Sequence, residues 1–359
     1  MERNRIFDGL KVVELASVLA GPAVGLFFAE LGADVVKIEN KRTGGDVTRQ
    51  WKLPHEDAQA PASSYYYSVN WNKRVVFADL LQPDDYRLVM DEIATADVLI
   101  MNFKEGDERK FGCDAEQLRK QFPSLIIGRI TGFADNPART AFDAVLQAES
   151  GLMSMNGEPG GSSLKMPVAL IDVISAHQLK EAILIALWKR EKTGEGSIAG
   201  VALYTAAVVS LMNQSSAFLN TGYVAGKQGS LHPNIAPYGE TFLCADQREL
   251  LLAVGSDQQF RKLLKLTDSE ALATDERFRD NSSRVKHRNE LAQLLGAAFR
   301  SRPADEWLLM LHQAQVPAAA IRSIKEVFAL PENQSLILEQ KEPDHTTSRR
   351  CSTIAFTLT

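Results

Sequence analysis

Apolar residues in the first part of the chain come in short unbroken runs, not in strict alternation with polar ones. The runs Lys11–Leu15, Asp34–Ile38, Arg74–Asp79, Asp97–Met101 and Leu125–Thr131 are separated by stretches with helical spacing. A run that is apolar nearly throughout suits a strand covered on both faces, as in a parallel sheet. Strands alternating with helices predict an α/β sandwich with right-handed crossovers. Pro22 fits the first turn of the first helix, where its missing N–H has no role. Two loops break the rhythm, "LPHEDAQAPASS" at 53–64 and "NGEPGGSSLKMP" at 156–167. The second leads into a long helix, predicted over Val173–Lys192, with basic residues in its last turn and Gly194 as its stop.

The pattern changes after about Gln214. "GETFLCADQRELLLAVG" (239–255) predicts a hairpin turning near Asp246-Gln247, and helical spacing follows at 257–265, 287–300 and 303–314. This predicts a smaller α+β unit. The tail "RRCSTIAFTLT" has strand character and is expected to return to the first domain.

Composition narrows the function. The 359 residues allow two domains, with 45% apolar residues to fill their cores. A net charge of −5 argues against nucleic acid as partner, because displacing counterions needs a basic surface. Cys113, Cys244 and Cys351 are odd in number and far apart, which fits a reducing compartment. The opening "MERNRIFDGL" has no signal-peptide core, and the apolar stretch Ala182–Trp188 is far short of a bilayer span. A cytoplasmic protein without membrane attachment is expected.

The segment 11–40 has the layout of a dinucleotide-binding unit, down to Glu39 closing the second strand. Its glycines are missing: Ala16-Ser17-Val18-Leu19-Ala20-Gly21-Pro22 stands where G-x-G-x-x-G belongs. Without them the backbone cannot approach a pyrophosphate as a dehydrogenase requires. The chain also has no P-loop, H-E-x-x-H or G-x-S-x-G motif, and its six histidines are scattered. No metal site is expected. Asp172, where the Gly-rich loop meets the long helix, has two readings. It is a helix N-cap, or it is an exposed carboxylate that stays ionised at neutral pH and acts as a nucleophile. Lys37, Lys41, Arg42, Arg49, Lys73, Arg74, Lys104, Arg109 and Lys110 gather around the strand ends. Open α/β sheets bind ligands there, and together these residues suit a polyanion.

Eight stretches in order carry a resemblance. They are "VLAGP" (18–22), "LGADVVKIE" (31–39), "GGDVTR" (44–49), "NWNKR" (70–74), "ADVLIMNFKEG" (96–106), "QAESGLMSMNGEP" (147–159), "KREKTGEG" (189–196) and "HPNIAPYG" (232–239). The chain resembles the family III CoA-transferases, the group of formyl-CoA transferase, carnitine CoA-transferase and α-methylacyl-CoA racemase. The resemblance implies a Rossmann-like large domain at 1–200 and 325–359, a linker at 201–224 and a small α+β domain at 225–320. It implies an interlocked homodimer of ring-shaped subunits. It implies coenzyme A as substrate, acyl-CoA and small carboxylic acids as partners, and Asp172 as the catalytic nucleophile. The CoA contacts it implies fall on Val18, Leu19, Ala20, Lys41, Arg42, Ala78, Asn102, Phe103, Lys104, Lys110, Phe142 and Asp143. The "VLAGP" turn would meet the pantetheine near the thioester.

This sequence departs from the family pattern at Asn40, Leu81, Glu105, Phe142 and the Asp246-Gln247 turn. Phe142 bears on the reaction. The family's racemases have a histidine there as second acid/base, and phenylalanine cannot move a proton. CoA transfer is therefore the expected activity, with acyl-CoA racemisation and catalysis-free CoA binding as the alternatives.

Overall fold

The apolar runs become the strands of one parallel sheet. In a computed structural model, which describes residues 5–136 and 138–358, they are β1 (Lys11–Leu15), β2 (Asp34–Asn40), β3 (Lys73–Ala78), β4 (Val98–Met101) and β5 (Ile126–Thr131). A sixth strand that the sequence pattern did not reveal, β6 (Ile198–Ala202), completes the order β3-β2-β1-β4-β5-β6. Successive side chains point to opposite faces of a strand, so each run feeds two cores. Val12, Val35, Val98 and Ile100 pack with Val24 and Phe28 of the first helix (Ala20–Glu30) and Leu179 and Ile183 of the long helix (Leu170–Thr193). Val13, Val36, Leu99 and Met101 pack on the other face with Val89, Ile93 and Leu118. Burial on both sides explains why these strands do not alternate.

The chain divides into two compact units. Met1–Met153, Lys165–Val224 and Gln334–Thr359 form the first, and Ser154–Leu164 with Ala225–Asn333 form the second. The segment expected as a linker, 201–224, instead ends β6 and then forms the helices Leu203–Val209 and Met212–Thr221 of the first unit. Ala206 and Ala207 are buried there, so this stretch is part of the core packing. In the second unit, β7 (Tyr238–Leu243), β8 (Glu249–Ala253) and β9 (Ala318–Ala320) form an antiparallel sheet. Gln247 takes the left-handed conformation (φ 63°) at the hairpin turn. Phe242, Leu250, Phe260, Phe299 and Trp307 fill this unit's core. The tail forms the hairpin β10 (Ile337–Lys341) and β11 (Thr347–Cys351), fastened to the first helix where Arg350, Ser352 and Thr353 all bind Glu30. Among the described residues, no helix is long and apolar enough to cross a membrane.

Beneath the first helix lies a buried charge network. Glu14 on β1 accepts from Lys37 Nζ on β2 at 2.8 Å and from Lys73 Nζ on β3 at 2.7 Å. Lys37 also reaches Asp46 at 3.1 Å and the Ala16 carbonyl at 2.7 Å, and Lys73 reaches the Pro22 carbonyl at 2.8 Å. Burial disfavours both ammoniums. For Lys37 the carboxylates of Glu14 and Asp46 outweigh it and hold the pKa above the ordinary value. Lys73 has Glu14 at hand but faces Lys37, and burial brings it down to about 8. Gly25 of the first helix passes directly over this network, and a Cβ there would lie 2.0 Å from Glu14 Oε2.

Gly25→Ala is therefore expected to destabilise the protein by about 3 kcal/mol, because it overpacks the site and displaces a carboxylate that two buried lysines need. Urea denaturation measures this, and an unchanged midpoint would contradict the close approach.

Candidate active site

A cleft of about 590 Å³ opens at the carboxyl ends of β1 to β4. The chain runs outward from β1 through β2 to β3, then crosses back to place β4 on the other side of β1. Such a switch point is where open α/β sheets hold ligands. The walls are Ala16 and Ser17 after β1, Asn40 at the end of β2 with Arg42–Asp46 beyond it, Ala78 at the end of β3 with Asp79–Leu81 beyond it, and Asn102–Lys104 after β4.

The turn after β1 is not built from glycines. Asn102 clamps the Ser17 backbone on both sides, with Oδ1 accepting from the Ser17 N–H at 3.0 Å and Nδ2 donating to the Ser17 carbonyl at 2.8 Å. Val18 has φ +71°, in the left-handed region that costs a β-branched residue on the order of 1–3 kcal/mol. Its N–H donates to Asp46 Oδ2 at 3.2 Å. Gly21 serves packing: a Cβ there would lie 2.4 Å from the Ala16 Cβ.

Of the residues expected to contact CoA, Arg42, Ala78, Asn102, Phe103, Lys104 and Lys110 meet on the cleft walls. Val18, Leu19 and Ala20 continue directly from the Ala16–Ser17 wall. Lys41 is exposed, with Nζ 3.9 Å from Asp85. Phe142 is exposed, and Asp143 stands beside Asp172. Of the basic residues read collectively as a polyanion site, Lys41 and Arg109 are exposed away from the cleft lining, Arg109 with Nε 3.8 Å from Asp114, and the rest separate into two sets. Lys37 and Lys73 are buried in the network around Glu14, Arg49 is paired with Glu39 and Tyr66, and Arg74 is paired with Glu92. Arg42, Lys104 and Lys110 remain on the cleft wall.

Asp172 differs from both of its sequence readings. The helix begins at Leu170 after an Ala169 N-cap, so Asp172 lies in its first turn and is not the cap. Nor is it an exposed, freely ionised group. It is 9% exposed, and burial, reinforced by the charge of Asp143, raises its pKa from 3.8 to about 7. Asp143 also organises the helix entrance. Its Oδ1 accepts the Ile171 N–H at 2.7 Å, satisfying one of the donors that a helix start leaves open. Its Oδ2 accepts from Gln147 Nε2 at 2.5 Å, and Gln147 Oε1 accepts the Met166 N–H at 2.8 Å. The cap thus comes from a residue 28 positions earlier in the chain.

Sequence reasoning missed Tyr65. It packs edge-on against Trp51, with ring centroids 5.1 Å apart. Its hydroxyl is pushed up to about 12 by burial and then by the charges of Asp172, Asp143 and Asp46. It keeps its proton at neutral pH and lies within electrostatic reach of both Asp172 and the carboxylate that holds Val18. The run Tyr65-Tyr66-Tyr67 gives no local sign of which hydroxyl feels the charge of Asp172. Among the described residues, no group of three or more His, Cys, Asp or Glu side chains is placed to hold a metal ion.

The raised pKa of Asp172 has a signed consequence for stability. Between pH 3.8 and about 7 the folded protein holds a proton that the unfolded chain releases, so stability falls as pH rises through that window. Asp172→Asn is expected to be near neutral at pH 4 and stabilising by up to about 4 kcal/mol at pH 8, read from paired denaturation curves. Asp143→Asn removes the like charge and is expected to lower the Asp172 titration midpoint, read by carboxyl-carbon NMR. An unmoved midpoint would exclude Asp143 as a cause.

Comparison with known proteins identifies the lineage. The model of CoA-transferase family III matches residues 7–358. A succinate–glutarate CoA-transferase of Agrobacterium fabrum is 39% identical over 339 residues, covering 93% of this chain and 84% of that protein. The human succinyl-CoA:glutarate CoA-transferase is 30% identical over 348 residues, covering 96% of this chain and 78% of that one. The crystal structure of a CaiB/BaiF family protein from Brucella suis superposes with a TM-score of 0.86 at 37% identity, covering 98% of this chain and 92% of that one. The chain therefore belongs to the family III CoA-transferases, and it is an enzyme of that type.

Proposed function

We propose that this enzyme exchanges CoA between a short dicarboxylyl-CoA, such as succinyl-CoA, and a small carboxylic acid, such as glutarate, through covalent intermediates on Asp172. The observation that carries the reading is Asp172 itself: a buried carboxyl in the first turn of a long helix, its pKa raised to about 7 by burial and by Asp143, at the position where the resemblance of the motifs implies the nucleophile. Relatives named for succinate, glutarate, mesaconate and oxalate support the substrate class. The adenine nucleotide end of CoA would occupy the cleft, with its phosphates near Arg42, Lys104 and Lys110 and its pantetheine led past Val18, Leu19 and Ala20. Phe142 has no group to move a proton, which disfavours racemisation.

In this cycle an ionised Asp172 oxygen attacks the thioester carbonyl. The C–S bond breaks, leaving an acyl-aspartyl anhydride and CoA thiolate. The thiolate attacks the Asp172 carbonyl carbon and expels the donor carboxylate, leaving an aspartyl-CoA thioester. The acceptor carboxylate attacks that thioester and re-forms an anhydride and thiolate. The thiolate then takes the acceptor acyl group and restores the Asp172 carboxylate. Splitting one exchange into successive acyl transfers lowers each barrier. The protonated Tyr65 hydroxyl is a candidate donor for the oxyanions, worth about 3 kcal/mol when well placed. The acting species is a homodimer, as the family likeness implies.

Asp172→Ala is expected to abolish transfer from succinyl-CoA to glutarate, followed by mass spectrometry of the two thioesters. Hydroxylamine should trap an acyl group on the wild-type protein and none on the variant; turnover by the variant would overturn the assignment. Because the nucleophile must be ionised, single-turnover acylation is expected to fall about tenfold per pH unit below pH 7. A flat profile down to pH 5 would contradict it.

A further inference from the structure

We propose that Asp46 is a positioning residue for the turn between β1 and the first helix: it holds Val18 in a left-handed backbone conformation and thereby shapes the surface that an acyl-CoA thioester meets. This rests on the reading that the turn contacts the pantetheine arm. Seven non-glycine residues among those described have positive φ, and Val18 is the only β-branched one. Gly44 and Gly45, in the neighbouring loop, take positive φ without a Cβ to strain. A valine at such an angle persists only where its surroundings over-determine it.

Here they do, one clamp per residue. Lys37 Nζ donates to the Ala16 carbonyl, Asn102 grips both the N–H and the carbonyl of Ser17, and the Asp46 carboxylate accepts the Val18 N–H at 3.2 and 3.4 Å. Asp46 is itself fixed from three sides. Its Oδ1 accepts the Thr48 N–H at 3.0 Å and the Thr48 hydroxyl at 2.8 Å, and Oδ2 faces Lys37 Nζ at 3.1 Å. Its own N–H donates to Glu39 Oε2 at 2.9 Å. The lysine that binds Asp46 also binds Ala16, so the two sides of the turn share one buried cation. Ser17 is exposed at the cleft wall and Val18 half-buried, so the rigidity is spent on a segment that faces the opening and not on the core.

A glycine at 18 would keep φ +71° without steric cost, which separates positioning from general stability. In Asp46→Asn one carboxylate oxygen becomes an NH2 donor that opposes either the Thr48 donors or those of Lys37 and Val18. The test is a cycle of wild type, Asp46→Asn, Val18→Gly and the double variant, reading kcat and KM for succinyl-CoA with glutarate and CoA affinity by calorimetry. Asp46→Asn is expected to raise KM and the CoA Kd about tenfold with kcat within about threefold, and in the Val18→Gly background the same change should cost under threefold. Equal losses in both backgrounds, no loss, or a loss confined to kcat would overturn the proposal. Thr48→Val, which removes the hydroxyl donor to Asp46 Oδ1, keeps the Thr48 N–H donor and leaves every buried charge in place, carries the same cycle if Asp46→Asn does not fold. CoA binding by the wild type tests the underlying reading separately. No binding at all would remove that reading, whereas normal binding untouched by Asp46 would remove only the positioning role.

Discussion

Glu14 holds two buried lysines at once, and much of the first unit is arranged around that fact. With Asp46 added, two carboxylates face two ammoniums in a space closed to water, and carbonyls of Ala16 and Pro22 take up further ammonium donors. Such a cluster contributes little net stability, because desolvation offsets most of the attraction, but losing any member strands a charge. Its members come from β1, β2, β3 and the loop after β2, so it registers those elements against one another more sharply than apolar contacts alone would. The first helix approaches closely only because residue 25 has no side chain.

The same network reaches the cleft. Lys37 touches the Ala16 carbonyl and Asp46, and Asp46 touches Val18. The turn after β1 is therefore shaped from below by buried charge, where a dinucleotide enzyme shapes the equivalent turn with glycines. The missing fingerprint and the buried lysines are two sides of one solution. A backbone that need not wrap a pyrophosphate can be held by side chains.

Local pattern carried much of the fold. β1 appears with the bounds its apolar run suggested, and the other four runs lie within two residues of theirs. What escaped was non-local. β6 reads "IAGVA", short and small, and its strand character comes from pairing with β5. The start of the long helix was misplaced because its capping acceptor, Asp143, sits on a different helix. Lys37 and Lys73 looked like ligand-binding cations because nothing near them in sequence announces Glu14. The place of Asp172 at a helix start is legible in the sequence, but its burial and its acidic neighbour, which raise its pKa, are not readable from the residues around it.

The elevated pKa of Asp172 bears on which way a mixed anhydride would break. Its environment penalises the free aspartate anion, whereas an ordinary aliphatic acid released toward water carries no such penalty. Of the two carboxylates that thiolate attack could expel in the proposed cycle, the donor acid is the better leaving group. The partition is thereby biased toward loading CoA onto the protein and away from regenerating the starting thioester, so a local dielectric would give a near-symmetric chemical exchange its direction at that step.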